Sequence, residues 1–600
     1  MRSALWVAAS ASSIAAAHFS GSTRQQVVAG NNFGIPGQNA TYDYVVVGGG
    51  TGGLAVAYRL AKDGTETVAV VEAGGFYEIE NGNTSVVPAY NQDYNYITPD
   101  SQWDAPLVDW GFLTTPQAGA QNQVFHYGRG KMLGGCYTWD RFLPYFEGSI
   151  NYSNPNMSIR ALNSSVPYID PVNQSGNPLE VSFPNFASPL SSWAQLAFRE
   201  IGIADVHDLI SGELIGSQYD PLTLNPKDQS RSSSQTSFLN AAFEEGGMNK
   251  TNLKVYTHTL GQKILFNDNK TAYGVLVQSG PAAAPSYVLT ARKEVIVSAG
   301  AFQSPQLLMV SGVGPAETLQ SLDIPIVADR PGIGQNMWDH VVLSIGYQVS
   351  VETYGRLMNQ TVATEAELDY ALNRAGILTN DQSDYLGWEK LPAASRANFS
   401  ISTSNDLSTF PADWPEVEYE VSAAPFGTPP FSTPGNPIDV GYLQPVLLTP
   451  LSRGNISISS ASMADPPLIN PNWLTHPTDQ QVAIATIKRG REFFNASAIA
   501  PILIGDELLP GQDLPVGSTD EEILAYLQMN IGYNWHASCT CKMGRNDDEL
   551  AVVDSRAGVI GVNGLRVVDA SAFPLLPPGH PQATVYVLAE KIAADILAGR

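Results

Sequence analysis

The chain of 600 residues has little cysteine, little charge and no long hydrophobic run after its first residues. Three cysteines, Cys136, Cys539 and Cys541, are too few for a disulfide framework. Charged residues make up 15% of the chain, and its net charge of −25 opposes nucleic acid or an anionic membrane as a partner. The lack of a later apolar run predicts no membrane span. The remaining composition is that of a well-packed globular protein, and 600 residues exceed one ordinary core, so two or more domains are expected.

Metal ligands are also scarce. The chain has eight histidines, and its one close pair of cysteines is Cys539 and Cys541. A metal site or a redox pair could use that spacing, but no second cysteine pair and no cluster of other ligands lies near it in the sequence. The pattern favours small buried side chains, and we predict no metal site.

The N-terminus is typical of a secretory signal peptide. A short charged start precedes an apolar stretch of small residues that ends in three alanines, so residues 1–17 are predicted to be removed. Sequons for N-glycosylation support passage through the secretory pathway. They begin at Asn39, Asn83, Asn151, Asn156, Asn163, Asn173, Asn249, Asn269, Asn359, Asn398, Asn455 and Asn495. We expect a secreted protein, located outside the cell, in the cell wall or in a vacuole.

Residues 42–75 carry the most informative pattern in the chain. An apolar run leads into Gly48, Gly50 and Gly53 at G-x-G-x-x-G spacing, a helical pattern follows, and a second apolar run ends in Glu72. Such glycines permit a tight turn and a close approach of backbone to a pyrophosphate, and the acid can accept hydrogen bonds from the adenosine ribose. The pattern predicts a dinucleotide site, and the acid argues against a 2′-phosphate. The predicted cofactor contacts in this unit are Gly48, Gly50, Thr51, Gly52, Gly53, Glu72 and Ala73.

Four segments in order resemble the glucose–methanol–choline (GMC) oxidoreductases, a family of FAD-dependent alcohol-oxidising enzymes. The resemblance covers roughly residue 42 to the end of the chain. Within the family, phrases such as HASCTCKMG look most like the fungal secondary-metabolism members, which include the patulin-synthase-like and versicolorin-B-synthase-like enzymes. The segments are the fingerprint above, residues 300–314, residues 331–336 with Asp339 and His340, and a C-terminal block at 534–536, 543–544, 564–571 and 579–582.

The resemblance implies an α/β fold in which a Rossmann-type FAD-binding domain is interleaved with an α+β substrate-binding domain, as in glucose oxidase. It places a FAD-binding N-terminal region, with part of the substrate domain, at residues 41–345. A substrate-binding region would follow at 346–545, and a C-terminal FAD-binding region at 546–600. FAD is the implied cofactor. An NAD-linked dehydrogenase is the generic alternative for the fingerprint alone, and the C-terminal motifs argue against it.

Two histidines are candidate catalytic residues. Oxidising an alcohol requires a base with a pKa near the working pH, and histidine suits that role. In the family, the residue matching His536 is the base and the residue matching His580 hydrogen-bonds the substrate oxygen. Without the family, either histidine would more often be structural.

Further cofactor contacts follow from the resemblance. One set lies in the family's first signature, one residue matches a backbone contact to adenine, and a pair matches the phosphate–ribityl region. The last set begins a helix whose positive end is expected to face flavin N1 and C2=O. The first signature supplies Leu133, Gly134 and Gly135, and Leu260 is the adenine contact. The phosphate–ribityl pair is Asp569 and Ala570, and the helix start is Pro581 and Gln582.

The first family signature is interrupted in this chain. Relatives continue after the position of Cys136 with a small-polar run that lies along the flavin and then an access loop, whereas here Cys136 is joined directly to Tyr137. A mispredicted splice junction and a real deletion both explain the gap, and the intact state of the other motifs favours the first. For the sequence as written we predict weak retention of FAD and low or no activity.

The sequence therefore predicts FAD-dependent oxidation of an alcohol on a small, aromatic or polyketide-derived metabolite. The proton would go to the base and the hydride to flavin N5, with oxygen or a quinone as the final acceptor. Two alternatives stay open. One is non-redox cyclisation or dehydration on the same FAD-containing fold, and the other is an inactive product that lacks the segment after Cys136.

Overall fold

Two large β-sheets organise the chain, one of seven strands and one of eight. The computed structural model describes residues 32–90, 98–99, 105–133, 145, 148–169, 177–210, 212–244, 252–281, 283–424 and 436–600. The predicted signal peptide, Gly134, Gly135 and the junction between Cys136 and Tyr137 lie outside the described residues.

The strands are β1 Ala40–Val47, β2 Val68–Val71, β3 Phe112–Leu113, β4 His126–Tyr127, β5 Ile150–Tyr152, β6 Leu179–Val181, β7 Gly216–Tyr219, β8 Leu253–Tyr256, β9 Thr259–Phe266, β10 Ala272–Ser279, β11 Tyr287–Val297, β12 Val313–Gly314, β13 Ala328–Asp329, β14 Val341–Val342, β15 Ile345–Val349, β16 Tyr385–Glu389, β17 Val417–Ser422, β18 Val440–Leu447, β19 Asn455–Ser457, β20 Leu468–Asn470, β21 Leu503–Leu509, β22 Gly532–Tyr533 and β23 Leu565–Val567. The α-helices are α1 Thr51–Ala61, α2 Tyr77–Glu80, α3 Asn83–Val86, α4 Pro189–Glu200, α5 Asn240–Glu244, α6 Gly300–Val310, α7 Ala316–Ser321, α8 Gln360–Asn373, α9 Ile401–Leu407, α10 Pro477–Phe494, α11 Asp520–Asn530 and α12 Gln582–Leu597.

The seven-stranded sheet has the order β8-β2-β1-β11-β10-β9, and β23 pairs with β11. Strands β8, β2, β1, β11 and β23 run parallel, and β9 and β10 add an antiparallel edge. The last four residues of β1 are fully apolar and buried, as expected for a parallel strand covered on both faces. Since β23 comes from the C-terminal region, both ends of the sequence build this one sheet, which confirms the interleaved α/β fold predicted above.

Helix α1 follows the first strand and packs against the C-terminal helix α12. The Arg59 Nε donates to Glu590 Oε2 across 2.6 Å and joins the two helices. Nine of the eleven residues of α1 are buried, so the helix lies between the sheet and α12 and is not a surface helix. The packing places the N-termini of two helices beside the carboxyl end of β1.

The eight-stranded sheet is antiparallel, with the order β21-β15-β18-β17-β16-β7 and a short extension through β14 and β22. All six residues of β17 are buried. Val417, Tyr419 and Val421 belong to the main hydrophobic core, so the alternating residues Glu418 and Glu420 lie on the other face. Among the helices that the structure describes, none is both long enough and apolar enough to cross a bilayer.

Candidate active site

The glycine turn after β1 has the geometry that a dinucleotide needs. Gly48 has φ +105°, and a Cβ there would lie 2.2 Å from the Ser298 carbonyl oxygen. A Cβ on Gly53 would lie 1.9 Å from the Gly48 carbonyl oxygen. Gly50 differs, because a Cβ there would meet no atom of the described residues within 4 Å. The open space stands at the start of α1, which has no side-chain cap, so its first N–H groups remain available for an anion.

Glu72 directly follows β2, and two backbone N–H groups hold its carboxylate in place. The N–H of Gly49 donates to Oε2 across 2.7 Å, and the N–H of Gly74 donates to Oε1 across 2.9 Å. Burial raises the pKa of Glu72, and the backbone N–H groups of Gly74, Gly49 and Ala73 oppose that rise. Each oxygen keeps a second lone pair, so the carboxylate can still accept hydrogen bonds from a ribose.

Leu260 and Leu133 lie close to this loop. The Thr259 N–H donates to the Glu72 carbonyl across 2.8 Å, which sets the adjoining Leu260 beside the end of β2. Leu133 is buried, and its Cδ2 would lie 2.3 Å from a Cβ on Gly49. The structure thus brings both predicted cofactor residues to the glycine turn.

Asp569 uses its carboxylate within the protein. Oδ2 accepts from the Gly300 N–H at 2.9 Å and the Ser304 hydroxyl at 2.5 Å, and Oδ1 accepts from the N–H and hydroxyl of Ser571 at 2.8 and 2.5 Å. The carboxylate therefore fixes the turn after β23, and a contact from Asp569 or Ala570 to a cofactor would come from the backbone.

The start of α12 faces the start of α1. Gln582 Nε2 donates to the Thr51 hydroxyl across 3.0 Å, whereas Gln582 Oε1 is buried and has no partner. Pro581 precedes the helix, which has no side-chain cap. Among the described residues, two uncapped helix starts, an open position at Gly50 and an unpartnered amide oxygen fit the phosphate and polar groups of a dinucleotide such as FAD.

The segment that carries His536 runs beside this cradle. The Cys539 N–H donates to the Ala570 carbonyl across 3.0 Å, and the Cys541 N–H donates to the Ser571 carbonyl across 2.7 Å. Both cysteines are buried and unpaired, and burial raises the pKa of Cys539 to about 12. They are inert thiols at the cofactor end of the site.

His536 lies against a second histidine, His340, with an Nδ1–Nδ1 distance of 3.0 Å. Two short antiparallel pairings flank them, Trp338 with Ser538 and Val341 with Tyr533. In the sequence, His340 was noted only as part of a family motif and was not predicted as a site residue. Nothing local in the sequence shows which side chain faces a histidine 196 residues away.

His580 completes the group, with its ring centroid 5.1 Å from that of His536. Its Nε2 lies 2.8 Å from Glu418 Oε1 and 3.7 Å from Glu420 Oε1. Glu420 Oε1 also accepts from Asn534 Nδ2 across 2.7 Å. Sequence reasoning missed both glutamates, although the alternation of acids and apolar residues in β17 is a signal that one face of the strand is polar.

The histidines differ in protonation. Burial, followed by the charge on His580, lowers the pKa of His340 to about 3 and the pKa of His536 well below its ordinary value. Burial also lowers the pKa of His580, but the charge and hydrogen bond of Glu418, with smaller contributions from Glu420 and other acids, outweigh it and raise that pKa to about 10. At neutral pH the site therefore holds a neutral His536 beside a cationic His580.

The acids around His580 are buried as well. Burial raises the pKa of Glu420 to about 7 and the pKa of Asp381 to about 6, and it raises the pKa of Asp220 well above its usual range. One oxygen of Glu418, one oxygen of Glu420 and a ring nitrogen of His580 lie within 4.8 Å of one another. That spacing is compatible with a bound cation. Since Glu418 already pairs with the imidazolium, we assign no metal.

A dinucleotide cradle joined to a cluster of three histidines, of which His340 and His536 are buried, fits a flavin-dependent oxidoreductase. Comparison with known proteins agrees, because family models described as GMC oxidoreductase match residues 42–342 and 450–589. The chain belongs to the GMC oxidoreductase family, and its cofactor is FAD.

Individual relatives share most of their length with this chain. It is 47% identical to the patulin synthase of Aspergillus clavatus, over 96% of this chain and 95% of the relative. It is 39% identical to the versicolorin B synthase of Aspergillus parasiticus, over 95% and 90%. Among solved structures, a FAD-dependent oxidoreductase from Chaetomium thermophilum superposes with a TM-score of 0.78 at 27% identity, covering 93% of this chain and 99% of that one.

Proposed function

We propose that this chain oxidises the CH–OH group of a small metabolite in fungal secondary metabolism, an alcohol of aromatic or polyketide origin. The observation that carries the proposal is the position of His536 at the cofactor cradle, hydrogen-bonded to His340 and packed against His580, which itself pairs with Glu418. The similarity to a patulin synthase and a versicolorin B synthase supports a metabolite substrate. Bound FAD would supply the hydride acceptor, and oxygen or a quinone would take the electrons afterwards.

His536 is the proposed base. Its Nδ1 contacts His340, which leaves Nε2 to face the substrate. For Nε2 to accept the hydroxyl proton, the Nδ1 of His536 must carry the other proton and donate it to the Nδ1 of His340. His340 is fully buried, so packing fixes the orientation of its ring. In this arrangement it carries its own proton on Nε2, which has no hydrogen-bond partner among the described residues.

His580 is the proposed partner of the substrate oxygen. Glu418 keeps it positively charged, so it can stabilise the alkoxide that develops as the hydroxyl proton leaves. The division of roles follows from the surroundings, since His580 is held charged by acids whereas His536 and His340 are held neutral by burial.

Non-redox cyclisation is the second candidate, because a neutral base beside a cationic acid also suits acid–base chemistry without electron transfer. Mixing the FAD-loaded protein anaerobically with substrate separates the two functions. Oxidation bleaches the flavin absorbance, whereas cyclisation consumes substrate and leaves the flavin oxidised.

The interruption at Cys136 and Tyr137 remains part of the proposal. We propose that the chain as written retains FAD weakly and turns over slowly, and that the full transcript carries the additional segment. Sequencing the transcript across the junction tests this, together with the ratio of flavin to protein absorbance. An absorbance ratio that corresponds to one flavin per chain, together with normal turnover, contradicts the proposal for the chain as written.

Secretion is likewise proposed, from the predicted leader and the sequons. Deglycosylation of protein from the culture medium should lower its apparent mass on a gel. Intracellular protein with an intact leader and no mass change contradicts secretion.

A further inference from the structure

The eight-stranded sheet presents a face beside His580 of which the chemistry above uses only the glutamates. Paired residues in an antiparallel sheet point to the same side. Two rows of paired residues therefore share one face. They are Trp388, Glu418 and Val446 in one row, and Leu386, Glu420 and Gln444 in the other.

The face is separate from the main core. Its apolar members Leu386, Trp388 and Val446 pack with Val206, Leu209, Val342 and Leu448 in a small cluster of their own. The opposite side of β17 belongs to the main core. An apolar wall with a few polar groups is the usual character of a small-molecule pocket.

Several polar atoms on this face are buried without a hydrogen-bond partner among the described residues. Gln444 is 0% exposed, and neither its Nε2 nor its Oε1 has a partner. Trp388 is 2% exposed and its Nε1 has none, and Glu418 is 0% exposed with Oε2 unpartnered. Folded proteins rarely leave such groups unsatisfied, and a ligand that completes them gains affinity for that reason.

The unpartnered atoms describe a ligand. Glu418 Oε2 requires a donor, Trp388 Nε1 requires an acceptor, and the Gln444 amide can take one of each. A cation would be coordinated by the glutamates but could use neither the indole N–H nor the amide NH₂ group. These unpartnered donors and acceptors together favour a compact organic ligand with both hydroxyl and carbonyl-type oxygens.

We propose that Trp388, Glu418 and Gln444 form a specificity subsite for the end of the substrate away from the oxidised carbon. The substrate class is an alcohol that carries a second hydroxyl and a further acceptor oxygen, in contrast to a simple monohydric alcohol. The subsite rests on the proposed function. Glu418 belongs to the subsite and also binds His580, so the far end of the substrate would lie beside the group that holds its reacting oxygen.

Binding can be measured apart from turnover. The full chain carrying His536→Ala, saturated with FAD, is titrated by calorimetry with benzyl alcohol and with 3-hydroxybenzyl alcohol. We expect the hydroxylated probe to bind about tenfold more tightly, because the other leaves buried groups unpaired. The preference should fall to within about threefold in Gln444→Leu and, independently, in Trp388→Phe. Both variants remove the hydrogen bonds; Gln444→Leu keeps the approximate side-chain size, and Trp388→Phe keeps a smaller aromatic ring. The control variant Leu386→Met, on the same face, should retain the preference for 3-hydroxybenzyl alcohol.

Equal binding of the two probes in the parent, no binding of either, or an unchanged preference in both variants overturns the subsite. Failure of the proposed function looks different. In that case the hydroxylated probe is still preferred, and the flavin of the chain with His536 intact never bleaches under anaerobic substrate.

Discussion

The imidazole rings of His340 and His536 share one hydrogen bond between their Nδ1 atoms, 3.0 Å apart, inside a fully buried site. Only one of the two nitrogens can carry the hydrogen, so the tautomer of one ring sets the tautomer of the other. The arrangement makes His340 a positioning residue for the proposed base.

Replacing His340 by alanine should slow anaerobic flavin reduction by about tenfold or more, since an unheld base loses its orientation and tautomer. His340→Asn, whose amide can accept from His536, should recover part of the rate. His207→Ala is the matched control, because His207 is an exposed histidine whose ring pairs with Asp208. Stopped-flow absorbance measures the rates, and equal rates in the parent and His340→Ala would refute the positioning role.

Replacing His536 by alanine should lower the rate of flavin reduction by about 10²-fold or more, as loss of a general base does. The affinity for FAD should change little, because the proposed role of His536 is toward the substrate and not toward FAD. Fluorescence titration with FAD and single-turnover kinetics measure the two quantities. A rate within about twofold of the parent would assign the base elsewhere.

The pH profile should report His580. Its pKa of about 10 keeps it charged at neutral pH, so the rate of flavin reduction should stay level up to about pH 9 and then fall. Glu418→Gln removes the largest contribution that raises this pKa, so the alkaline fall should begin at lower pH. An unchanged alkaline limb in Glu418→Gln would contradict the role of the pair.

The same pair should affect stability with a defined sign. The folded pKa of His580 lies above the ordinary value of 6.5. Its contribution is therefore complete below about pH 6.5 and is lost as the pH rises toward 10. Thermal melting of the parent and Glu418→Gln from pH 6 to 10 should converge at the alkaline end, and a constant difference would contradict the linkage.

Two glycines of the turn provide a matched pair of variants. Gly50→Ala meets no atom within 4 Å and should fold normally, but it should weaken FAD binding about tenfold because the methyl group enters the space above the helix start. Gly53→Ala would place its Cβ 1.9 Å from a backbone oxygen and should lower stability by about 1–3 kcal/mol. FAD titration and thermal melting separate the effects, and normal FAD affinity in Gly50→Ala would place the pyrophosphate elsewhere.

Some features could be predicted from local sequence because local backbone chemistry demands them. The positive φ of +105° at Gly48 and the lack of room for a Cβ at Gly48 and Gly53 require glycine at those two positions. Together with Gly50, their spacing indicates a dinucleotide turn before any fold is known. The interleaved fold and FAD followed from ordered motifs and are confirmed. The assigned roles of the individual site residues remain predictions.

Other features could not be predicted because they depend on contacts between distant segments. Glu418 lies 162 residues from His580, and its identity as the partner follows only from the register of β17 in the antiparallel sheet. The unpaired amide of Gln444 likewise has meaning only once its strand neighbours and burial are known.

The sequence by itself determined the family and the cofactor, because its ordered motifs resemble those of the family, and that resemblance pointed to the two candidate histidines. Only the tertiary structure decided which histidine is neutral and which is charged. A pKa follows from burial and from the charges within a few ångströms, and here those charges come from strands far away in the chain.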